Sequence, residues 1–158
     1  MLHDAKVRDH MTTPLIAVEP TTSIRVAEQL MCDHHIRHLP VVQENKLVGI
    51  LSSGDIRRAG PSTTSSLSMW EAAKRWEDIT VEQAMSRQVI RVRPDSLVTY
   101  AAQLMEAYHF NSLPVVDVHD FPIGIVTEVD IFRLLLDAAK KEQLVERFPP
   151  EAQPTASG

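Results

Sequence analysis

The chain has 158 residues, 44% of them hydrophobic, a formal net charge of −5 and one cysteine. This length suits one ordinary domain or two very small ones that share a core, and the acidic balance argues against a nucleic-acid partner. Cys32 excludes an intramolecular disulfide, and neither a signal-peptide-like N-terminus nor a membrane-length apolar run is present, so we expect a cytoplasmic protein.

The first half of the chain predicts six elements from hydrophobic periodicity and turn residues. They are a short helix, an extended stretch, an amphipathic helix, two strands and a second helix, at 6–11, 15–18, 24–31, 39–42, 47–51 and from residue 54. Thr22 or Ser23 is expected to cap the amphipathic helix. The unit is therefore strand–helix–strand–strand–helix after a short leading helix.

The second half predicts the same elements in the same order. They lie at 80–85, 89–92, 97–108, 113–116, 122–126 and from residue 129. Here Asp95 or Ser96 is the expected N-cap of the amphipathic helix. The halves divide the chain into repeats at 5–59 and 79–138, a linker at 60–78 and a C-terminal segment at 139–158.

The linker is predicted to be a loop over 60–66 followed by a short helix over 69–76. That helix carries Trp70 and Trp76, which we expect to pack the linker onto the domain; a partner contact is the alternative. The last helix is predicted to run from Ile131 to about Phe148, past the length of its counterpart, and residues 151–158 to be disordered.

The repeat is exact enough to align residue by residue. The run 36–42, which ends in Leu-Pro-Val-Val, returns 74 positions later at 110–116. After a one-residue insertion, Ser52 with Asp55 corresponds to Thr127 with Asp130. This spacing predicts a helix N-terminus with a capping box. It also places a carboxylate, which can accept from the two hydroxyls of a ribose, beside free N–H groups that suit a phosphate.

Leu-Pro-Val-Val followed by Gly-hydrophobic-hydrophobic-[Ser/Thr]-x-x-Asp-Ile, in tandem, resembles a pair of cystathionine-β-synthase (CBS) domains. The linker with its Trp-containing helix is similar to that of acetoin-utilisation-type regulatory proteins. The resemblance implies an α+β fold of two CBS repeats packed sheet to sheet with pseudo-two-fold symmetry. It also implies two clefts between the repeats that bind adenosine-containing ligands, and a homodimer that forms a disc of four repeats.

The resemblance implies binding residues in both clefts. One cleft is expected to use Thr13, Ile16, Val42, Ser52 and Asp55, and the other Val89, Ile90, Val116, Thr127 and Asp130. The residues before Leu-Pro-Val-Val are expected to face the phosphates: Arg37, His38, Asn111 and Ser112. Because arginine is a permanent cation and asparagine is neutral, we expect unequal clefts, only one of which suits a phosphorylated ligand.

These features favour a regulatory module that senses AMP, ADP, ATP or S-adenosylmethionine and signals to a protein partner. The alternative is a structural or dimerisation module with vestigial clefts. No enzyme activity is expected, because Ser52 has no evident base partner and no phosphate-binding glycine loop occurs. His34, His35 and His38 tempt a metal interpretation, but the helix must end before Pro40, so their rings should diverge.

Overall fold

The computed structural model describes residues 2–62 and 68–142. Within these ranges, single 3₁₀ turns at Leu2–Asp4 and Val7–Asp9 precede the regular elements. The helices are α1 (Ile24–Asp33), α2 (Ser53–Ala59), α3 (Met69–Asp78), α4 (Val81–Ala84), α5 (Val98–Tyr108) and α6 (Glu128–Lys141). The strands are β1 (His38–Gln43), β2 (Lys46–Ser52), β3 (Ser112–Val116) and β4 (Pro122–Thr127).

Each repeat contains a two-stranded antiparallel sheet, β1 with β2 and β3 with β4. His38 pairs with Ser52 and Ser112 with Thr127, so both hairpins have the same register. Each also has a bulge near its closed end, at Val41/Val42 and at Val115/Val116. The α+β class and the two equivalent repeats predicted from the sequence are confirmed.

The extended stretches predicted at 15–18 and 89–92 do not form strands. Each makes one parallel bridge, Val18 to Val41 and Val92 to Val115. The Pro40 carbonyl accepts a hydrogen bond from the Val18 amide at 3.1 Å, but a proline has no N–H that could donate the next bond of a ladder. Because Pro114 has the same place in the other repeat, neither contact can extend into a regular ladder.

The two hydrophobic cores exchange their leading segments. Val7 of the second 3₁₀ turn is fully buried in the core of the second repeat, together with Leu113 and Val126. Val81 of α4 is fully buried in the core of the first repeat, with Leu39. The backbone reinforces the exchange, because segment 5–12 is bonded to residues 94–98 and 125. Each repeat is therefore completed by chain that precedes the other one.

The helix-capping prediction holds for the first repeat and is wrong for the second. Ser23 caps α1 as expected, its hydroxyl accepting from the Val26 amide at 3.3 Å. In the second repeat the cap is Leu97, without a side-chain bond, and neither Asp95 nor Ser96 serves. Leu97 stands at the repeat position of Ser23 and has no side-chain acceptor, while the Val98 amide donates to the Ala5 carbonyl just as the Ile24 amide donates to that of Ile79.

The linker helix α3 carries its two tryptophans differently. Trp76 packs on the first core and lies against Gly60, whereas Trp70 is 72% exposed and lies under Lys74. The expectation that both pack inward holds only for Trp76.

Part of the predicted loop and the predicted disordered tail lie outside the described residues. In the described part of the chain, no helix is long and apolar enough to span a membrane.

Candidate functional site

Two cavities lie between the repeats. Cleft A has a volume of about 250 Å³, close to the roughly 300 Å³ at which small-molecule sites begin. The first repeat lines it with Thr12, Pro14, Ile16 and the run 35–38, and the second with Asn111, Ile125, the run 127–130 and Arg133. Cleft A is thus built by one repeat's leading segment and the other repeat's strand-to-helix junction.

Cleft B, of about 270 Å³, is the pseudo-symmetric counterpart. The second repeat lines it with Ser86, Gln88, Val89, Ile90, the run 109–112 and Pro114, and the first with His38, Ile50, Ser52, Asp55 and Arg58. Nearly every lining position recurs in cleft A at the repeat offset, such as Ser86 for Thr12 and Arg58 for Arg133. Several lining residues, such as Thr12 and Ser86, were not predicted from the sequence. The repeat offset of 74 or 75 could have found one member of each such pair from the other.

The structure groups the predicted residues differently from the sequence analysis. Ile16 lies with Thr127 and Asp130 in cleft A, and Ile90 lies with Ser52 and Asp55 in cleft B. The predicted pairing of Ile16 with Asp55 is wrong because the leading segments are exchanged between repeats. Val89, like Ile90, belongs to cleft B.

Three predicted ligand residues line neither cleft. Thr13 is exposed, with its methyl group against Gly124, while the neighbouring Thr12 and Pro14 line cleft A. Val42 faces a shallow hollow near Glu44, and Val116 is fully buried. Both valines lie at the bulge near the closed end of their hairpin.

The hydroxyl–carboxylate pairs form capping boxes at the clefts. In cleft B, Asp55 accepts from the Ser52 amide at 2.8 Å, while the Ser52 hydroxyl accepts from the Asp55 amide at 3.1 Å. In cleft A, one oxygen of Asp130 accepts from both the amide and the hydroxyl of Thr127, at 2.9 and 3.0 Å. Asp130 is buried, its side chain 8% exposed, so these bonds fix its orientation.

An arginine one turn later pairs with the second oxygen of each aspartate. Arg58 is bonded to Asp55, and Arg133 lies 3.8 Å from Asp130. Both guanidinium groups are largely exposed, so they can move away and leave the aspartate oxygen to a ligand hydroxyl. Arg37 differs from both, because among the described residues no carboxylate lies within salt-bridge distance of it. Among the described residues, cleft A is thus lined by an arginine without a carboxylate partner, whereas the arginine that lines cleft B is paired with Asp55.

His38 and Asn111 are the wall between the clefts, since both line each of them. The Asn111 side chain acts on the pKa of His38 as a hydrogen-bond acceptor does, raising it. Burial and the Arg37 charge hold the pKa of His38 below its ordinary value, against smaller opposite effects of Asn111, Asp55 and Glu128. His38 is therefore neutral at neutral pH, and it is half-buried between two carboxylates on opposite repeats.

The remaining histidines do not gather around a common point. His35 lines cleft A and His109 lines cleft B, each following its helix with a left-handed backbone, φ 53° and 57°. His34 is exposed and lines neither cleft. Within residues 2–62 and 68–142, no three His, Cys, Asp or Glu side chains are arranged to hold a metal ion.

Comparison with known proteins places the chain in a family. The CBS domain family model matches residues 7–62 and 77–137. The chain belongs to the CBS domain family. Among curated relatives, L-aspartate semialdehyde sulfurtransferase of Methanocaldococcus jannaschii is 36% identical over 129 residues, which are 81% of this chain and 23% of that protein. The chain spans about a quarter of the length of the first curated relatives it matches.

Solved CBS pairs share the fold over 84–90% of this chain. The CBS domain pair of protein MJ0100, in complex with 5′-methylthioadenosine and S-adenosyl-L-methionine, is 35% identical with a TM-score of 0.71, covering 85% of this chain and 98% of that one. CBSX2 in complex with AMP is 30% identical with a TM-score of 0.71, covering 84% and 97%. A putative acetoin utilization protein from Vibrio cholerae is 27% identical with a TM-score of 0.70, covering 90% and 98%.

Proposed function

We propose that the protein is a regulatory module that binds adenosine-containing ligands in clefts A and B. The observation that carries the proposal is the recurrence of an oriented aspartate, Asp55 or Asp130, at the mouth of each cavity. A carboxylate so held can accept from both hydroxyls of a ribose. Related CBS pairs were solved with AMP and with S-adenosyl-L-methionine, which share that ribose.

The charges of the clefts assign different ligands to them. Arg37 gives cleft A an unpaired guanidinium, and α6, a helix of 14 residues, begins there. Both features favour a phosphate. Cleft B has Asn111 at the equivalent repeat position, and Arg58, which lines it, pairs with Asp55. We therefore assign AMP, ADP or ATP to cleft A and a less anionic ligand, such as S-adenosylmethionine, to cleft B.

Isothermal titration with adenosine, AMP, ADP, ATP and S-adenosylmethionine tests the proposal. Asp130→Ala should abolish binding in cleft A and Asp55→Ala in cleft B, so each variant loses one site and keeps the other. Asp137→Ala is the matched control, since Asp137 is an exposed aspartate of α6 outside both clefts. If none of these ligands binds at millimolar concentration, the clefts are vestigial and the proposal is wrong.

A charge exchange tests which cleft takes the phosphate. Arg37→Asn should weaken AMP binding about tenfold or more, the usual value of a charge-assisted contact, while adenosine binding stays within about twofold. Combining it with Asn111→Arg should restore AMP binding at cleft B. If Arg37→Asn weakens AMP and adenosine equally, Arg37 acts on cleft shape and the assignment fails.

A second candidate function, assembly through subunit contact, is favoured by one surface. Exposed apolar side chains lie on α5 and α6 of the second repeat: Tyr100, Tyr108, Phe132, Leu135 and Leu136. We propose a homodimer that uses this surface, with no catalytic activity of its own. Phe132→Glu, measured by sedimentation, should give a monomer, whereas Val26→Glu on the more polar first repeat should not. A wild-type monomer at micromolar concentration contradicts it.

A further inference from the structure

His38 occupies a place that no other titratable side chain shares, in the part of the chain the structure describes. It lines cleft A and cleft B at once, whereas the clefts' aspartates and arginines line one each. Asn111 lines both clefts beside it and acts on its pKa as a hydrogen-bond acceptor does, which leaves the other ring nitrogen for a ligand. A single ring nitrogen, which carries a proton only when His38 is charged, thus stands between two cavities that are each lined by an aspartate, Asp130 or Asp55.

We propose, building on the proposed function, that His38 couples the two clefts: it donates to the phosphate of a ligand in one cleft at a time, so the first anionic ligand binds with uptake of a proton and weakens the binding of a second. Only the ligand's charge matters for this coupling. Two neutral adenosyl ligands make no demand on His38 and bind independently.

The charges around His38 set the direction of the proton. Arg37, on its own segment, and burial favour the neutral ring, while Asp55 of α2 and Glu128 of α6 oppose them more weakly. Other charged or titratable side chains line the clefts: His35, Arg58, His109, Asp130 and Arg133. In the free protein the pKa of His38 is lowered, so the ring is neutral at neutral pH. A phosphate facing it adds an opposite charge that raises the pKa, and a proton is taken up.

The same geometry weakens the second anion. When the first phosphate has the free N–H of His38, the other cleft has lost that donor. The two anions then face each other across a wall one side chain thick, where the dielectric is low and repulsion is strong. The pair of clefts should therefore bind one phosphorylated ligand well, with the other cleft left to a neutral one. This is a coupling free energy between two sites and is reciprocal.

Calorimetric titration with AMP in two buffers of different ionisation enthalpy measures the proton directly. At pH 7.5, wild-type protein should take up more protons than His38→Gln with the first equivalent, and no more than that variant with the second. The titration of AMP itself is common to both proteins and cancels. Adenosine should show no difference between them. His34→Gln, an exposed histidine outside both clefts, is the matched control and should behave as wild type.

A second measurement tests the coupling without relying on protons. Asp55→Ala and Asp130→Ala give the AMP affinity of each cleft alone, and the second wild-type step should be weaker than the corresponding single-cleft value by about tenfold. Equal affinities overturn the coupling. So does the same buffer dependence of the AMP binding heat in wild type and His38→Gln. Either result leaves the proposed function standing. Failure of both AMP and adenosine to bind overturns both.

Discussion

The close approach of the exchanged segment to β2 predicts the effect of adding one methyl group. A Cβ at Gly49 would lie 2.5 Å from the Met85 sulfur and 3.0 Å from the Ser86 carbonyl oxygen. The methionine can turn aside, but the carbonyl is backbone and is bonded to the next residue of β2. Ile50 and Ser86 exchange two hydrogen bonds, at 3.0 and 2.9 Å. Gly49→Ala must therefore stretch that pair.

The size of the effect follows from these contacts. Two weakened hydrogen bonds cost about 1–3 kcal/mol, and overpacking by one methyl costs a similar amount. Since the segment can relax by a few tenths of an ångström, we expect Gly49→Ala to lower the free energy of unfolding by about 2 kcal/mol, or roughly 4–8 °C in Tm. Ser86 lines cleft B, so ligand binding there should weaken while cleft A is unaffected.

Urea unfolding followed by circular dichroism measures this, with Gly54→Ala as the control. A Cβ at Gly54 would meet nothing closer than 3.4 Å, and Gly54 lies inside α2. Alanine favours a helix by about 0.5–1 kcal/mol over glycine, so this variant should be as stable as wild type or more so. A Gly49→Ala protein with wild-type stability would refute the argument that segment 85–86 is tightly held against β2.

Three further changes test other contacts by denaturant unfolding. Trp76→Ala should cost about 2 kcal/mol, since half-buried Trp76 packs on the first core, whereas Trp70→Ala should cost under about 0.5; equal losses would contradict the packing of α3. Asp130→Asn should lower the free energy of unfolding by about 1–3 kcal/mol, because a neutral amide oxygen accepts the two Thr127 bonds more weakly than a carboxylate oxygen does; near-neutral behaviour would contradict this. The pKa of His38 is lowered in the fold, so the unfolded chain binds more protons below about pH 6.5; wild type should lose stability relative to His38→Gln as pH falls through that range, and parallel profiles would count against it.

The repeat in the sequence predicted the elements well and their partners poorly. The hairpin and helix positions follow from local periodicity, and the Ser52–Asp55 and Thr127–Asp130 boxes follow from spacing that a helix start requires. The exchange of leading segments depends on packing across nearly 90 residues, as in the bond from the Val7 amide to the Ser96 carbonyl. No local signal encodes that choice, and the allocation of Ile16 to its cleft was wrong for this reason.

Other misses have equally physical sources. The cap of α5 was predicted one or two residues too early, because Asp95 and Ser96 are good capping residues whereas the helix begins after Leu97, which has no side-chain acceptor. Val42 and Val116 resemble the apolar residues that enclose a base, but they lie at the bulged ends of the hairpins and line neither cleft. The domain boundaries at 5–59 and 79–138 were drawn from the order of the elements along the chain. Whether each range folds as one domain stays a prediction.

The exchanged segments also bear on how the protein reaches its native state. Because Val7 belongs with Leu113 and Val81 with Leu39, neither core can close by itself as the chain leaves the ribosome. The first repeat must wait for α4 to be made, and residues 5–12 must wait longer still, for β4. Contacts so distant in sequence slow folding. Removing the first twelve residues should therefore damage the later repeat, at the far end of the sequence, and spare the one they adjoin.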